Sequence, residues 1–173
     1  MKKFTAYLCA ILLYVPAFAQ ENGDLLSRIF QANMHSSLQA NWNQTRHSEF
    51  FADNLLSSGV VYMKQPDKLR WEVSSPVQSV SIMAGGASRS RFRFPEAKDF
   101  DTKILDSDKE YSIILQPKRG DLQQFFSQVI LKVEKNRLLI KSALINGDGG
   151  DWTLLEFSSI QTDKPLPDSL FEK

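Results

Sequence analysis

Segments in which apolar and polar side chains alternate recur along most of this chain, and they constrain its fold more than any other feature. Alternation with a period of two is typical of a strand that buries one face. Turn-forming residues separate the segments, at 65–67, 74–76, 85–86, 135–136 and 146–150. The pattern therefore predicts a meander of many short antiparallel strands. The alternating apolar positions are Leu38, Ala40, Trp42, Val61, Met63, Leu69, Trp71, Val73, Val80, Ile82, Tyr111, Ile113, Leu115, Val129, Leu131, Val133, Leu138 and Ile140.

One segment near the start has helical spacing instead. Asp24 is suited to be its N-cap, and the helix is expected to end near Ser36. Its apolar positions recur every three or four residues, as on one face of an amphipathic helix. These positions are Leu25, Leu26, Ile29, Phe30 and Met34.

A long antiparallel sheet needs a cover for its apolar face, and one short helix is a small cover. The chain also holds 12 phenylalanines and 3 tryptophans, which is more apolar surface than such a helix buries. A curved sheet around a cavity would account for this surplus. A barrel or sandwich filled by its own side chains would account for it as well, and the composition alone leaves both open.

The first residues have the layout of a secretory signal peptide. Lys2 and Lys3 precede the apolar stretch 4–15, and Ala17, Phe18 and Ala19 follow it. The stretch is shorter than the roughly 20 residues of a membrane-spanning helix, so we expect cleavage after Ala19 rather than a membrane anchor. Residues 1–19 are thus a predicted signal peptide, and residues 20–173 are long enough for one domain. The expected location is the periplasm.

Charge and reactive side chains exclude several classes of function. The formal net charge is only +1, so no strong field attracts nucleic acid. The single cysteine, Cys9, lies inside the apolar stretch 4–15. His35 and His47 are the only histidines, and neither belongs to a cluster with metal-ligand spacing. We therefore expect no catalytic residues, no metal, no cofactor and no nucleic-acid partner, and the chain is not expected to be an enzyme.

The order of several motifs resembles a known family. Residues 58–72 read SGVVYMKQPDKLRWE, with Pro76 four residues later. This resembles the central signature of LolA-type outer-membrane lipoprotein carriers, which is a glycine, an apolar strand, Lys-Arg-Pro-Asn and a strand ending in tryptophan. Further similarity lies at 37–44, 115–118, 125–139 and 151–157, so the resemblance extends from about Leu25 to Phe171.

The resemblance implies a fold and a function. The implied fold is mainly β: an incomplete, half-open antiparallel β-barrel covered by the N-terminal helix and a lid, here reduced because only 96–111 is available for it. The implied function is a periplasmic carrier, expected to be monomeric, that moves lipoproteins from the inner to the outer membrane. Its implied partners are acylated lipoproteins, an inner-membrane release complex and an outer-membrane acceptor. Carriage of another lipid or glycolipid, or a lipoprotein-sensing regulator on the same fold, remain the alternatives.

Strand parity selects the candidate ligand-binding residues. By the resemblance, one face of two neighbouring strands lines the acyl-chain cavity, and the first strand adds three residues to it. Gln65 stands where the family often has an arginine that ties the lid to the barrel; it carries no charge but can still form a hydrogen bond to a lid backbone, so the sequence leaves regulated opening undecided. The candidate residues are Leu38, Ala40, Trp42, Val61, Met63, Gln65, Leu69, Trp71 and Val73.

Three arginines form a second candidate site. Arg89, Arg91 and Arg93 alternate with other residues, so a strand would place all three guanidinium groups on one face. Such a row suits phosphate headgroups or an acidic partner. A solvated strand face is the simpler alternative.

Overall fold

The computed structural model describes residues 23–83 and 97–172, which form one helix-covered sheet. The predicted signal peptide and the three arginines lie outside these ranges. Two short 3-10 helices, at Ala97–Asp99 and Asp168–Phe171, accompany the regular elements. In chain order, the regular elements are α1 (Gly23–Ala32), β1 (Ser37–His47), β2 (Leu55–Lys64), β3 (Lys68–Ser75), β4 (Ser79–Met83), β5 (Phe100–Asp106), β6 (Glu110–Pro117), α2 (Gly120–Gln123), β7 (Gln128–Glu134), β8 (Ile140–Asn146) and β9 (Trp152–Thr162).

All nine described strands belong to one antiparallel sheet, in the order β4-β3-β2-β1-β9-β8-β7-β6-β5. Each half is a meander, and the two meanders meet where β9 pairs with β1. Among the described strands β4 and β5 are the edges, so the sheet is open. The expected half-open, mainly β fold with an N-terminal helix is therefore confirmed.

The sheet has one apolar face, as the alternation predicts. Buried side chains on β6 and β7 occur at every second residue, for example Ile113, Leu115, Val129 and Leu131.

The strand β5, by contrast, was not predicted. In its sequence FDTKILD, the inward positions are Phe100, Thr102 and Ile104, of which only Phe100 is fully buried. Between Ala97 and Tyr111 the chain thus forms a 3-10 turn and this strand, and no lid helix.

Helix α1 covers part of the apolar face with Leu26, Ile29 and Phe30, which are all buried. It differs from the prediction at both ends. Asp24 lies in the first turn of the helix rather than before it. In the first turn its carboxylate still interacts favourably with the helix dipole. The helix ends at Ala32 instead of Ser36, and Met34 is 66% exposed.

Asn33 is the physical reason for this early end. Its Nδ2 donates to the carbonyl oxygen of Ile29 at 2.7 Å. In a continuing helix a backbone N–H would donate to this oxygen, so the side chain takes the place of a helical hydrogen bond. The same nitrogen donates to Leu138 O at 2.7 Å, and Ile140 N donates to the Asn33 Oδ1 at 3.1 Å. The helix therefore ends at Ala32, and Asn33, the residue after it, is tied to the β7–β8 turn.

The C-terminal segment lies across the outer face of β2 and β3. Lys64 Nζ donates to Leu166 O at 2.9 Å, and Arg70 Nη1 donates to Leu170 O at 2.8 Å. Asp168 accepts from both Lys64 and Lys68, at 2.7 and 2.8 Å. Phe171 is buried, so the segment is held by packing as well as by charge.

Candidate functional site

A cavity lies between the end of α1 and the apolar face of the sheet. Nine of its ten lining residues are apolar, and none of the ten carries a charge. Its open volume is about 60 Å³, whereas pockets for small molecules typically have roughly 300–1,000 Å³. In this structure the cavity is thus much smaller than a typical ligand pocket. It is lined by Asn33, Leu38, Ala40, Val61, Met63, Trp71, Leu139, Ile140, Phe157 and Ile160.

Five of the nine candidate residues line this cavity: Leu38, Ala40, Val61, Met63 and Trp71. They come together because Leu38 pairs with Met63 and Ala40 pairs with Val61 between β1 and β2. In the same way Val61 pairs with Trp71 between β2 and β3. Cross-strand partners share a face of a sheet, so three strands contribute to one wall.

The other four candidates lie elsewhere. Trp42 is buried beside Trp71, and Leu69 is buried in the same core. Val73 is half-buried and packs against this core. Gln65 is exposed in the β2–β3 turn, one residue after β2 ends, and its backbone N–H donates to Ser36 O at 2.9 Å. The structure therefore places Gln65 outside the cavity wall.

The two tryptophans form a stacked pair. Their ring centroids are 4.5 Å apart and the ring planes meet at 22°. Gly59, the cross-strand partner of Trp42, makes room for this pair, because a Cβ there would stand 2.9 Å from Cζ2 of Trp42. The close approach of strand β3 at the same point also requires a residue without a side chain.

Five lining residues were not among the candidates: Asn33, Leu139, Ile140, Phe157 and Ile160. Phe157 and Ile160 are three residues apart, which strand parity would place on opposite faces. A bulge in β9 between them places two residues opposite one residue of β1, and Ser159 has a φ of 51° there. No pattern in the sequence marks this bulge.

One end of the cavity wall is fixed by a carboxylate. Asp163 Oδ1 accepts hydrogen bonds from the backbone N–H and the hydroxyl of Ser36, each at 2.9 Å. His35 Nδ1 lies 3.0 Å from Asp163 Oδ2. These hydrogen bonds, first the Ser36 N–H, then its hydroxyl and then His35, lower the pKa of Asp163. The connection between α1 and β1 is thereby attached to the end of β9.

The described residues hold little that resembles a catalytic or metal site. No group of three or more His, Cys, Asp or Glu side chains could bind a metal ion within 23–83 and 97–172. The ring of His47 stacks on Trp152, with ring centroids 5.5 Å apart. Its Nδ1 lies 2.9 Å from Asn54 Oδ1. In the same ranges, no helix has both the length and the hydropathy needed to span a bilayer.

Comparisons with known proteins agree with this geometry. The sequence profile of the family described as outer membrane lipoprotein carrier protein LolA matches residues 33–88, a range that includes β1 to β4. No curated protein matches the sequence.

Several solved structures share the fold at low sequence identity. The crystal structure of MucB is similar with a TM-score of 0.58 at 12% identity over 87% of this chain, which spans 62% of the MucB chain. A conserved protein from Thermus thermophilus has a TM-score of 0.57 at 11% identity, with 89% of this chain and 94% of that one covered. The Pseudomonas aeruginosa MucA/MucB complex has a TM-score of 0.55 at 15% identity, covering 85% and 59%. Together with the profile match, the open nine-stranded sheet and its N-terminal helix show that this chain has a LolA-type fold.

Proposed function

We propose that this protein is a periplasmic carrier, which binds the acyl chains of lipoproteins in its cavity and moves lipoproteins from the inner to the outer membrane. The uncharged, almost wholly apolar wall of the cavity is the observation that carries the proposal. Each buried methylene is worth about 0.8 kcal/mol, so acyl chains supply ample affinity without any charged contact. Residues 1–19 are the proposed export signal.

The small volume of the cavity bears on how a ligand enters. An open space of about 60 Å³ has no room for an acyl chain. Helix α1 covers part of the same apolar face through Leu26, Ile29 and Phe30, and Asn33, directly after the helix, lines the cavity. Binding therefore requires that α1 moves away from the sheet. The apolar surface of the helix then becomes exposed, while the apolar surface of the ligand becomes buried. Such an exchange keeps the net affinity moderate, which suits a carrier that must release its cargo.

A photocrosslinking experiment tests the proposal. Purified protein carrying benzoylphenylalanine in place of Phe157 is added to spheroplasts that retain newly made lipoproteins. Phe157 lines the cavity and is half-buried, so the aromatic replacement is mild. We expect a one-to-one complex in the supernatant, and light should join the protein to the acylated end of a lipoprotein.

The matched control carries the same group at Leu154, which is half-buried on the outer face of the same strand. Release should persist with this variant, whereas crosslinking to acyl chains should be lost. If no lipoprotein is released and neither position yields a lipid adduct, the carrier function is wrong. If position 157 crosslinks to a phospholipid or glycolipid only, the cavity is right and the cargo is another lipid.

The similarity to MucB favours one second candidate. MucB has been crystallised in complex with MucA, so a protein of this fold binds a protein partner. A regulator that senses mislocalised lipoprotein would also bind acyl chains, but it would not deliver them. Incubation of the loaded complex with outer membranes distinguishes the two, since only a carrier transfers its cargo to an outer-membrane acceptor.

A further inference from the structure

Two indole N–H groups in the core have no hydrogen-bond acceptor. Trp42 and Trp71 are 2% and 6% exposed, and their Nε1 atoms are buried without a partner in the part of the chain that the structure describes. Trp71 contributes to the cavity wall, and Trp42 stacks on it at 4.5 Å. Buried donors are normally paired, because the lost hydration of an N–H is otherwise not replaced.

The cavity wall itself offers almost no acceptor. Among the described residues that line it, Asn33 is the only one with a polar side chain other than Trp71 itself. Both of its Nδ2 hydrogen bonds go to backbone carbonyls, at Ile29 and Leu138, and its Oδ1 already accepts from Ile140 N. A water molecule is held poorly there as well, since a buried water needs about three polar partners. Within residues 23–83 and 97–172, the side chains that line the cavity thus leave the Trp71 N–H without an acceptor, and a ligand can supply one.

We infer that the Trp71 N–H, with Trp42 behind it, binds the carbonyl oxygen of an esterified or amidated acyl chain. The inference deepens the proposed function and rests on it, because it names which lipids the same cavity takes. The Trp71 Nε1 has almost no exposed surface in this structure, so the movement of α1 that widens the cavity must also uncover it. A carbonyl oxygen about 2.9–3.0 Å from the indole nitrogen then completes the hydrogen bond. The methylene groups of the chain then lie along Leu38, Met63 and Phe157.

This arrangement discriminates between lipid classes. A hydrocarbon leaves the indole donors unpaired. A free fatty acid brings a carboxylate, and no lining residue carries a positive charge to compensate for its desolvation. A neutral ester or amide satisfies the donor without bringing a charge. The cavity therefore prefers acyl esters and amides to free fatty acids and to alkanes of similar length.

Displacement of the fluorescent probe N-phenyl-1-naphthylamine at pH 7.5 tests the preference. The competing ligands are methyl laurate, sodium laurate and tetradecane, each below its solubility limit. Methyl laurate should bind most tightly to the wild type. Trp71→Phe replaces the indole by a smaller ring without an N–H, so it should weaken methyl laurate relative to tetradecane by roughly 3- to 10-fold. Trp152→Phe, on the outer face, is the control and should alter neither affinity.

The outcomes separate the hydrogen bond from the proposed function. If laurate binds as tightly as its ester, or if Trp71→Phe weakens ester and alkane equally, the inferred hydrogen bond is wrong while lipid binding stands. If the wild type binds none of the three ligands and releases no lipoprotein, the proposed function itself fails. A second measurement needs no variant: in the ¹⁵N-indole spectrum of the wild type, methyl laurate should shift the Trp71 N–H resonance downfield more than tetradecane does. Equal shifts would overturn the inference.

Discussion

Replacement of Gly59 by alanine tests the geometry on which the cavity wall depends. Gly59 is buried in β2, beside a register shift in the β2–β3 pairing. A Cβ at this position would overlap the carbonyl oxygen of Glu72 on the neighbouring strand and stand 2.9 Å from Cζ2 of Trp42. Non-bonded carbon atoms prefer about 3.5–4.0 Å. To remove this overlap, β2 and β3 must separate by roughly 1 Å or more.

The expected cost of Gly59→Ala follows from this clash. Overpacking of a core commonly costs about 1–3 kcal/mol, and here the overlapping atom is backbone, which cannot turn aside. We expect a loss of about 3 kcal/mol in the free energy of unfolding, out of a total of roughly 5–15 kcal/mol. For a domain of this size that corresponds to a decrease in Tm of roughly 6–12 °C. Lipid binding should weaken too, since Val61 and Trp71 lie on the separated strands.

Urea unfolding followed by circular dichroism and tryptophan fluorescence measures the cost. Gly120→Ala is the matched control, because a Cβ at this first residue of α2 meets no atom within 4 Å. The control should change stability by less than about 1 kcal/mol. A Gly59→Ala protein with the urea midpoint of the wild type would show that Glu72 does not face Gly59, and the β2–β3 register would be wrong.

Two further perturbations address the attachments of the helix and of the C-terminal segment. Asn33→Ala removes two hydrogen bonds to the β7–β8 turn and a third to Ile29 in α1, so unfolding in urea should show a loss of about 2–4 kcal/mol; a loss below about 0.5 kcal/mol would contradict the role of Asn33. Hydrogen bonds from Lys64 and then Lys68 lower the pKa of Asp168 to about 2. Because the folded pKa is the lower one, Asp168 stabilises the fold above about pH 4 and this contribution is lost as the pH falls through 2. The Tm difference between wild type and Asp168→Asn should therefore shrink over this interval, and a difference that is constant with pH would refute the assignment.

Much of the fold was predictable because its signals are local. The strands β1, β2, β3, β6 and β7 have alternating side chains, and a strand with one buried face must alternate. The amphipathic face of α1 was equally visible at Leu26, Ile29 and Phe30. The edge strand β5 was missed because its alternation is weak in the sequence. Its burial alternates, but Thr102 stands at an inward position and Leu105 at an outward one.

The candidate site was only half predictable. Parity selected five lining residues on β1, β2 and β3, where pairs such as Leu38 and Met63 follow from one hairpin. The other wall comes from β8 and β9, which are distant in the sequence. Gln65 was assigned to the wall by extending the parity of β2 one residue too far, into an exposed turn.

The sequence by itself determined which faces of the helix and the strands are apolar, because periodicity is a property of consecutive residues. Only the tertiary structure decided which of these faces enclose a cavity. Strand β9 pairs with β1 across more than a hundred residues, its bulge turns both Phe157 and Ile160 inward, and the Asn33 amide holds α1 over the opening. These contacts depend on where distant segments meet, and no local pattern records that.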